Sequence, residues 1–175
     1  GLSGSLSASS SATSHGVAGL DEFTLTAHGV PSTPGPNGEQ VMVWQTSGAS
    51  AIFTLRTTSG TNKMRVALLD EDDSATTITG TTSWECDGLQ PLAAVVTFNK
   101  NRDYDNIKLY VNGHLEASSL DNWTTGKAVR GSPSDSTIYL GSAVAAAGFW
   151  NGFLEEITIH TKEFYVPVNE GEYMM

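Results

Sequence analysis

Apolar and polar residues alternate along much of this chain with a period of two. In 23–27, Phe23, Leu25 and Ala27 alternate with Thr24 and Thr26. In 63–68, Lys63 and Arg65 alternate with Met64, Val66 and Leu68. Successive side chains of a strand point to opposite faces, so each pattern predicts a β-strand with one buried face. Residues 41–45 and 51–56 read as further strands, separated by a Ser-Gly-Ala-Ser turn at 47–50. A Thr-rich strand is expected around 76–82, and later strands at 137–140 and 153–160. Residues 93–98 are a continuous apolar run, short enough for a buried central strand. Three prolines and two glycines forbid regular structure over 31–38. No segment has a 3.6-residue period. The Ala-rich 143–147 stretch, bounded by Gly141 and Gly148, has room for one helical turn.

The sharpest local signal is Asn112-Gly113 between the alternating segments 107–111 and 114–117. A type I′ hairpin turn needs positive φ at both central residues, and Asn and Gly tolerate it. Ile107, Leu109 and Val111 then share one face. Many short strands separated by turns predict an all-β antiparallel sandwich or barrel. The Ser-rich segment 1–14, with only Leu2 and Leu6 as large apolar residues, reads as a flexible arm or a loosely held edge strand. The expected organisation is an arm over 1–14, a sandwich over 15–165 and a tail over 166–175.

Charge narrows the partners. The net charge is −10, from 19 acidic and nine Lys and Arg residues. The basic residues are spread thinly, which disfavours nucleic acid and an anionic membrane surface. No 18-residue apolar stretch predicts a membrane span. The one cysteine, Cys86, excludes an internal disulfide and a multi-thiolate zinc site. The start at Gly1 fits removal either of an initiator Met or of a leader. The four histidines are scattered without metal-ligand spacing.

Four segments in order resemble one family. Residues 109–115, Leu-Tyr-Val-Asn-Gly-His-Leu, resemble the hairpin of laminin-G-like, concanavalin-A-like lectin/glucanase domains. Ala94-Val95-Val96-Thr97-Phe98 resembles the strand before that hairpin, and Ile138-Tyr139-Leu140-Gly141-Ser142 a strand after it. Residues 149–159 resemble the closing strand, with Glu155 where the family has Asp. Pro91-Leu92 stands where a Trp usually opens the strand before the hairpin. The resemblance implies a two-sheet antiparallel jelly-roll sandwich. It implies no single function, because such domains bind glycans or proteins, build virions and surface layers, or carry glycosidase sites.

The candidate chemistry follows from that frame. A retaining glycosidase needs two carboxylates about 5–5.5 Å apart, and related glucanases place them on one strand. Here Glu155 and Glu156 are adjacent and so face opposite sides, and Thr158 and His160 follow on the face of Glu156. The expectation is therefore a non-enzyme. Calcium prefers oxygen ligands; Asp70, Asp72 and Asp73 in one turn and Asp103 and Asp105 in another offer them, and related domains often bind calcium at a loop edge. Trp44 sits in a strongly apolar run and is expected in the core. Trp123, in a polar loop with Asn122, is expected to be exposed. With Tyr104 these residues form the candidate ligand-binding set. The expected function is a surface binding or adhesion module for glycan or protein on a cell or virion surface, hence extracellular. The alternative is a capsid decoration or tail protein whose partners are neighbouring subunits, with homo-oligomerisation and arm docking in reach; a glycoside hydrolase ranks third.

Overall fold

The computed structural model describes residues 6–9, 16–32, 38–85, 88–119, 123, 126–143 and 148–164. The strands are β1 (Leu6–Ser9), β2 (Glu22–Pro31), β3 (Val41–Ser47), β4 (Ser50–Thr57), β5 (Lys63–Leu69) and β6 (Ala75–Ser83). They continue as β7 (Leu92–Asn99), β8 (Ile107–Val111), β9 (His114–Ser118), β10 (Ser136–Leu140) and β11 (Gly152–His160). A single 3-10 turn at Pro133–Asp135 is the one helical piece among the described residues. The strands form two antiparallel sheets, a six-stranded one ordered β1-β10-β3-β4-β5-β6 and a five-stranded one ordered β11-β2-β7-β8-β9. This is the two-sheet sandwich that the alternation and the resemblance imply.

Alternation builds the core. Phe23, Leu25 and Ala27 of β2 and Ala94, Val96 and Phe98 of β7 point inward, and so do Ile107, Leu109 and Val111 of β8. They meet Phe53, Leu55, Met64, Val66 and Leu68 of the six-stranded sheet. Phe23 joins the layers, its ring 5.9 Å from Phe53 at 89° and 5.5 Å from Phe98. Strand β2 runs longer than the alternation predicts, because pairing with β11 carries it through Gly29 to Pro31. Residues 6–9 of the Ser-rich arm pair with β10 as the edge strand β1, so the sheet begins inside the expected arm. Residues 144–147 and 165–175, most of the Ala-rich stretch and all of the tail, lie outside the described residues.

The Asn112-Gly113 turn has the expected backbone, with φ of 49° and 83°. Asn112 also ties the hairpin to the start of β7: its N–H donates to the Ala93 carbonyl (2.8 Å), and its Oδ1 accepts from the Ala93 N–H (2.8 Å). A Cβ on Gly113 would meet nothing within 4 Å, so only the backbone angle opposes substitution there. Gly113→Val is expected to cost about 1–3 kcal/mol by thermal denaturation; an unchanged melting temperature would refute this account.

One carboxylate closes the seam between the sheets. Glu116 on β9 accepts hydrogen bonds from the backbone N–H and hydroxyl of both Thr81 and Thr82 on β6, at 2.6–2.9 Å. Gly80 makes room, since a Cβ there would lie 3.2 Å from the Glu116 side chain. Burial alone would raise the Glu116 carboxyl, but these four bonds outweigh it and hold it below the usual glutamate range. The clasp therefore stabilises the fold fully above about pH 4.3, the unfolded value, and is lost as pH falls through the lowered folded value. Glu116→Gln is expected to cost about 1–2 kcal/mol at neutral pH. The gap between wild type and variant should shrink as melts are repeated toward about pH 3; a gap independent of pH would contradict the clasp.

Candidate functional site

The outer face of the six-stranded sheet is built by cross-strand register. Tyr139, Trp44, Thr54, Ala67 and Thr77 lie side by side across β10, β3, β4, β5 and β6. Arg56, Arg65 and Thr79 form the next row on the same face. Trp44 points outward because Val43 and Gln45 on either side of it are buried inward. Gln45 is held in that position by a hydrogen bond from the Val17 N–H to its Oε1 (2.8 Å). This corrects the expectation that Trp44 belongs to the core: the ring is half-buried on the outer surface.

The electrostatics of this face differ from the rest of an acidic protein. Arg56 lies over the Trp44 ring, 5.9 Å from its centre, and pairs with Glu39 at 2.7 Å. Arg65 stands directly opposite Arg56, where like charges repel. Lys63 occupies the same face of β5 two residues away. Among the described residues Lys63 and Arg65, like Lys108 on the other sheet, have no ion pair, whereas Arg56, Lys100, Arg102, Lys127, Arg130 and Lys162 all do. Among the described residues four polar atoms on this face, Trp44 Nε1, Thr54 Oγ1, Arg56 Nε and Arg65 Nε, are closed to solvent and have no hydrogen-bond partner. A buried donor without an acceptor costs free energy. An aromatic ring bordered by guanidinium groups suits a polar ligand with an apolar face.

The opposite outer face, on the five-stranded sheet, is partly occupied by the chain itself. Thr24 donates its hydroxyl to the Lys162 carbonyl (3.0 Å) and accepts from the Phe164 N–H (2.8 Å). Glu163 pairs with Arg102 at 2.7 Å, and Lys162 with Glu22 at 3.1 Å. The Lys162 hydrogen bond, with that of the Glu163 N–H, holds the Glu22 carboxyl below its ordinary value.

The residues singled out from sequence are not brought together. Trp123 is 4% exposed; its ring packs edge-on against Phe98 at 4.9 Å and its Nε1–H donates to the Lys127 carbonyl (2.9 Å). The expectation of an exposed stacking ring is thus corrected: Trp123 is part of the core, held there by Phe98 and the Lys127 carbonyl. Asn122 lies outside the described residues. Tyr104 is 66% exposed in the β7–β8 loop.

The acidic residues of the calcium hypothesis fall in two separate turns. Asp70 is buried and its Oδ1 accepts the N–H groups of Asp72 (2.9 Å) and Ser74 (2.8 Å), which shapes the turn. Asp72 pairs with Lys127 at 3.0 Å, and Asp73 with Arg130. The Asp72 hydrogen bond holds the Lys127 ammonium above its usual value. In the other turn Asp103 is exposed, while the Oδ1 atoms of Asp105 and Asn106 are buried with no partner among the described residues. Among the described residues no three His, Cys, Asp or Glu side chains converge to hold a metal. Glu155 sits at a bulge of β11 and Glu156 lies opposite His28, both exposed. Cys86 lies outside the described residues.

Sequence reasoning missed Arg56, Arg65, Lys63 and Tyr139 as site residues. The charged-apolar alternation of β5 did place Lys63 and Arg65 on one outer face, and their juxtaposition with Arg56 and Trp44 required the strand order.

Two antiparallel sheets around one apolar core, with a polar and aromatic outer face, define a concanavalin A-like β-sandwich. Residues 3–165 match the family model Laminin_G_3, described as concanavalin A-like lectin/glucanases superfamily. The chain belongs to that family. No curated protein sequence matches it. Among solved structures it is similar to a heptameric SAP-like pentraxin from Limulus polyphemus, at 11% identity and a TM-score of 0.61 over 86% of this chain and 68% of that one. It is similar to the CBM40 module of a Ruminococcus gnavus IT-sialidase bound to α2,6 sialyllactose, at 14% identity and a TM-score of 0.59 over 83% of this chain and 79% of that one. A third similar structure is a putative carbohydrate binding protein from Bacteroides ovatus, at 14% identity and a TM-score of 0.58 over 83% of this chain but only 39% of that protein. At these identities the likeness is one of fold. No helix among the described residues is long and apolar enough to cross a membrane.

Proposed function

We propose that this domain is a non-catalytic module, displayed at a cell or particle surface, that binds glycan across the outer face of its six-stranded sheet. The observation that carries the reading is the placement of Tyr139 beside Trp44 on this face, bordered by Arg56, Arg65 and Lys63. Aromatic faces take the C–H face of a sugar ring, and fixed donors take its oxygens. The similarity in fold to a sialyllactose-bound module and to a carbohydrate binding protein supports it.

A glycan array with the purified domain tests this, run with calcium and with chelator so that any cation requirement appears. Trp44→Ala should lower affinity for the bound glycans at least about tenfold, or roughly 1.4 kcal/mol, with the fold intact by circular dichroism. An array without a single bound glycan under either condition would reject the reading. Undiminished binding by Trp44→Ala would move the site off this face.

A further inference from the structure

We propose that the glycan bound on this face is acidic, and that its carboxylate seats against Arg65 with Lys63 and Arg56 beside it. The inference rests on the glycan-binding reading above and names the chemical class of its ligand. With 19 acidic residues to nine basic ones, acid partners are abundant. Among the described residues six of the nine cations take one, and Lys63, Arg65 and Lys108 do not. On the outer face of β4 and β5 stand three cations, Arg56, Arg65 and Lys63, and only Arg56 pairs with a described carboxylate, that of Glu39. The arginines are directly opposed across the strand pair, an arrangement that disfavours the folded state.

Glu39 also fixes roles within the cluster. It holds Arg56 against the Trp44 ring, leaving Arg65 and Lys63 without an ion-pair partner among the described residues. A carboxylate matches the planar guanidinium fork, and a sugar hydroxyl does not. Trp44, one row away, is placed to take the ring that bears the carboxylate. An acidic ligand would thus offset the like-charge repulsion and bring the opposite sign to the face.

The test measures titration calorimetry of the full chain with sialyllactose, with a tetramer of galacturonic acid, and with their neutral counterparts lactose and the carboxyl-reduced tetramer. At least one acidic probe should bind tenfold or more tightly than its neutral counterpart, and that margin should narrow as salt is raised. Arg65→Ala should abolish the margin, Arg65→Lys should restore part of it, and the melting temperature of Arg65→Ala should be unchanged or higher because the repulsion is gone. Equal binding of acidic and neutral probes, or an acidic preference that survives Arg65→Ala, overturns the inference while the glycan-binding reading holds. A lack of binding to all four, together with a blank array, overturns both.

Discussion

Trp123→Ala is expected to cost about 3–5 kcal/mol of folding stability, the range for removing a large buried aromatic side chain. The indole covers the end of an aromatic series that runs Phe53, Phe23, Phe98, Trp123 through the core. Truncation would open a cavity beside Phe98 and leave the Lys127 carbonyl without its Nε1–H donor. It would also loosen the segment that carries Lys127 and Arg130 to the 70–73 turn. Equilibrium denaturation measures the loss. A loss under about 1 kcal/mol would mean that the indole is not part of the core. Trp44→Ala provides the contrast: it should weaken glycan binding while costing less stability than Trp123→Ala, since Trp44 is only half-buried.

Gly152→Ala is expected to cost about 2–5 kcal/mol, from backbone strain and steric overlap acting together. Gly152 opens β11 with φ of 137°, a conformation side chains resist. A Cβ there would fall 2.0 Å from the Val30 carbonyl oxygen and 3.0 Å from the Ser32 nitrogen. Both are backbone atoms, one in β2 and one just past its end, so no rotamer change relieves the clash. Relief requires β11 to separate from β2 near the Gly152–Pro31 pair, next to the hydrogen bond from the Ser32 N–H to the Asn151 carbonyl (2.6 Å). Gly60→Ala isolates the backbone contribution, because Gly60 has φ of 74° but nothing within 4 Å of its Cβ position. Equal drops in melting temperature for the two variants would refute the overlap account.

Much of the fold was legible because strand alternation is a local property. Phe23, Leu25 and Ala27, or Met64, Val66 and Leu68, each declare a buried face without reference to any partner. The Asn112-Gly113 turn was legible for the same reason, since its positive φ values depend on two adjacent residues. The candidate site was far less so. Residues 41–44, Val-Met-Val-Trp, form a continuous apolar run with no period, and nothing local says which of them faces out. The register shift of β3 between Val41 and Val43, together with the buried Gln45, decides it. Trp123 shows the reverse: polar neighbours suggested exposure, but burial depends on where its loop lands.

By itself, then, the sequence determined that this chain makes short amphipathic strands, where the hairpin turns, and that the protein is strongly acidic, because backbone sterics, period-two burial and net charge are set by residues close in the chain or by simple sums. Tertiary structure alone decided which tryptophan is core and which is surface. It also set Arg56 across from Arg65, left Lys63 and Arg65 without acid partners among the described residues, and brought Tyr139 beside Trp44, nearly a hundred residues away in the chain. The physical reason is that side-chain exposure and charge pairing are relations between strands, and strand order and register arise only when two sheets close over a shared core.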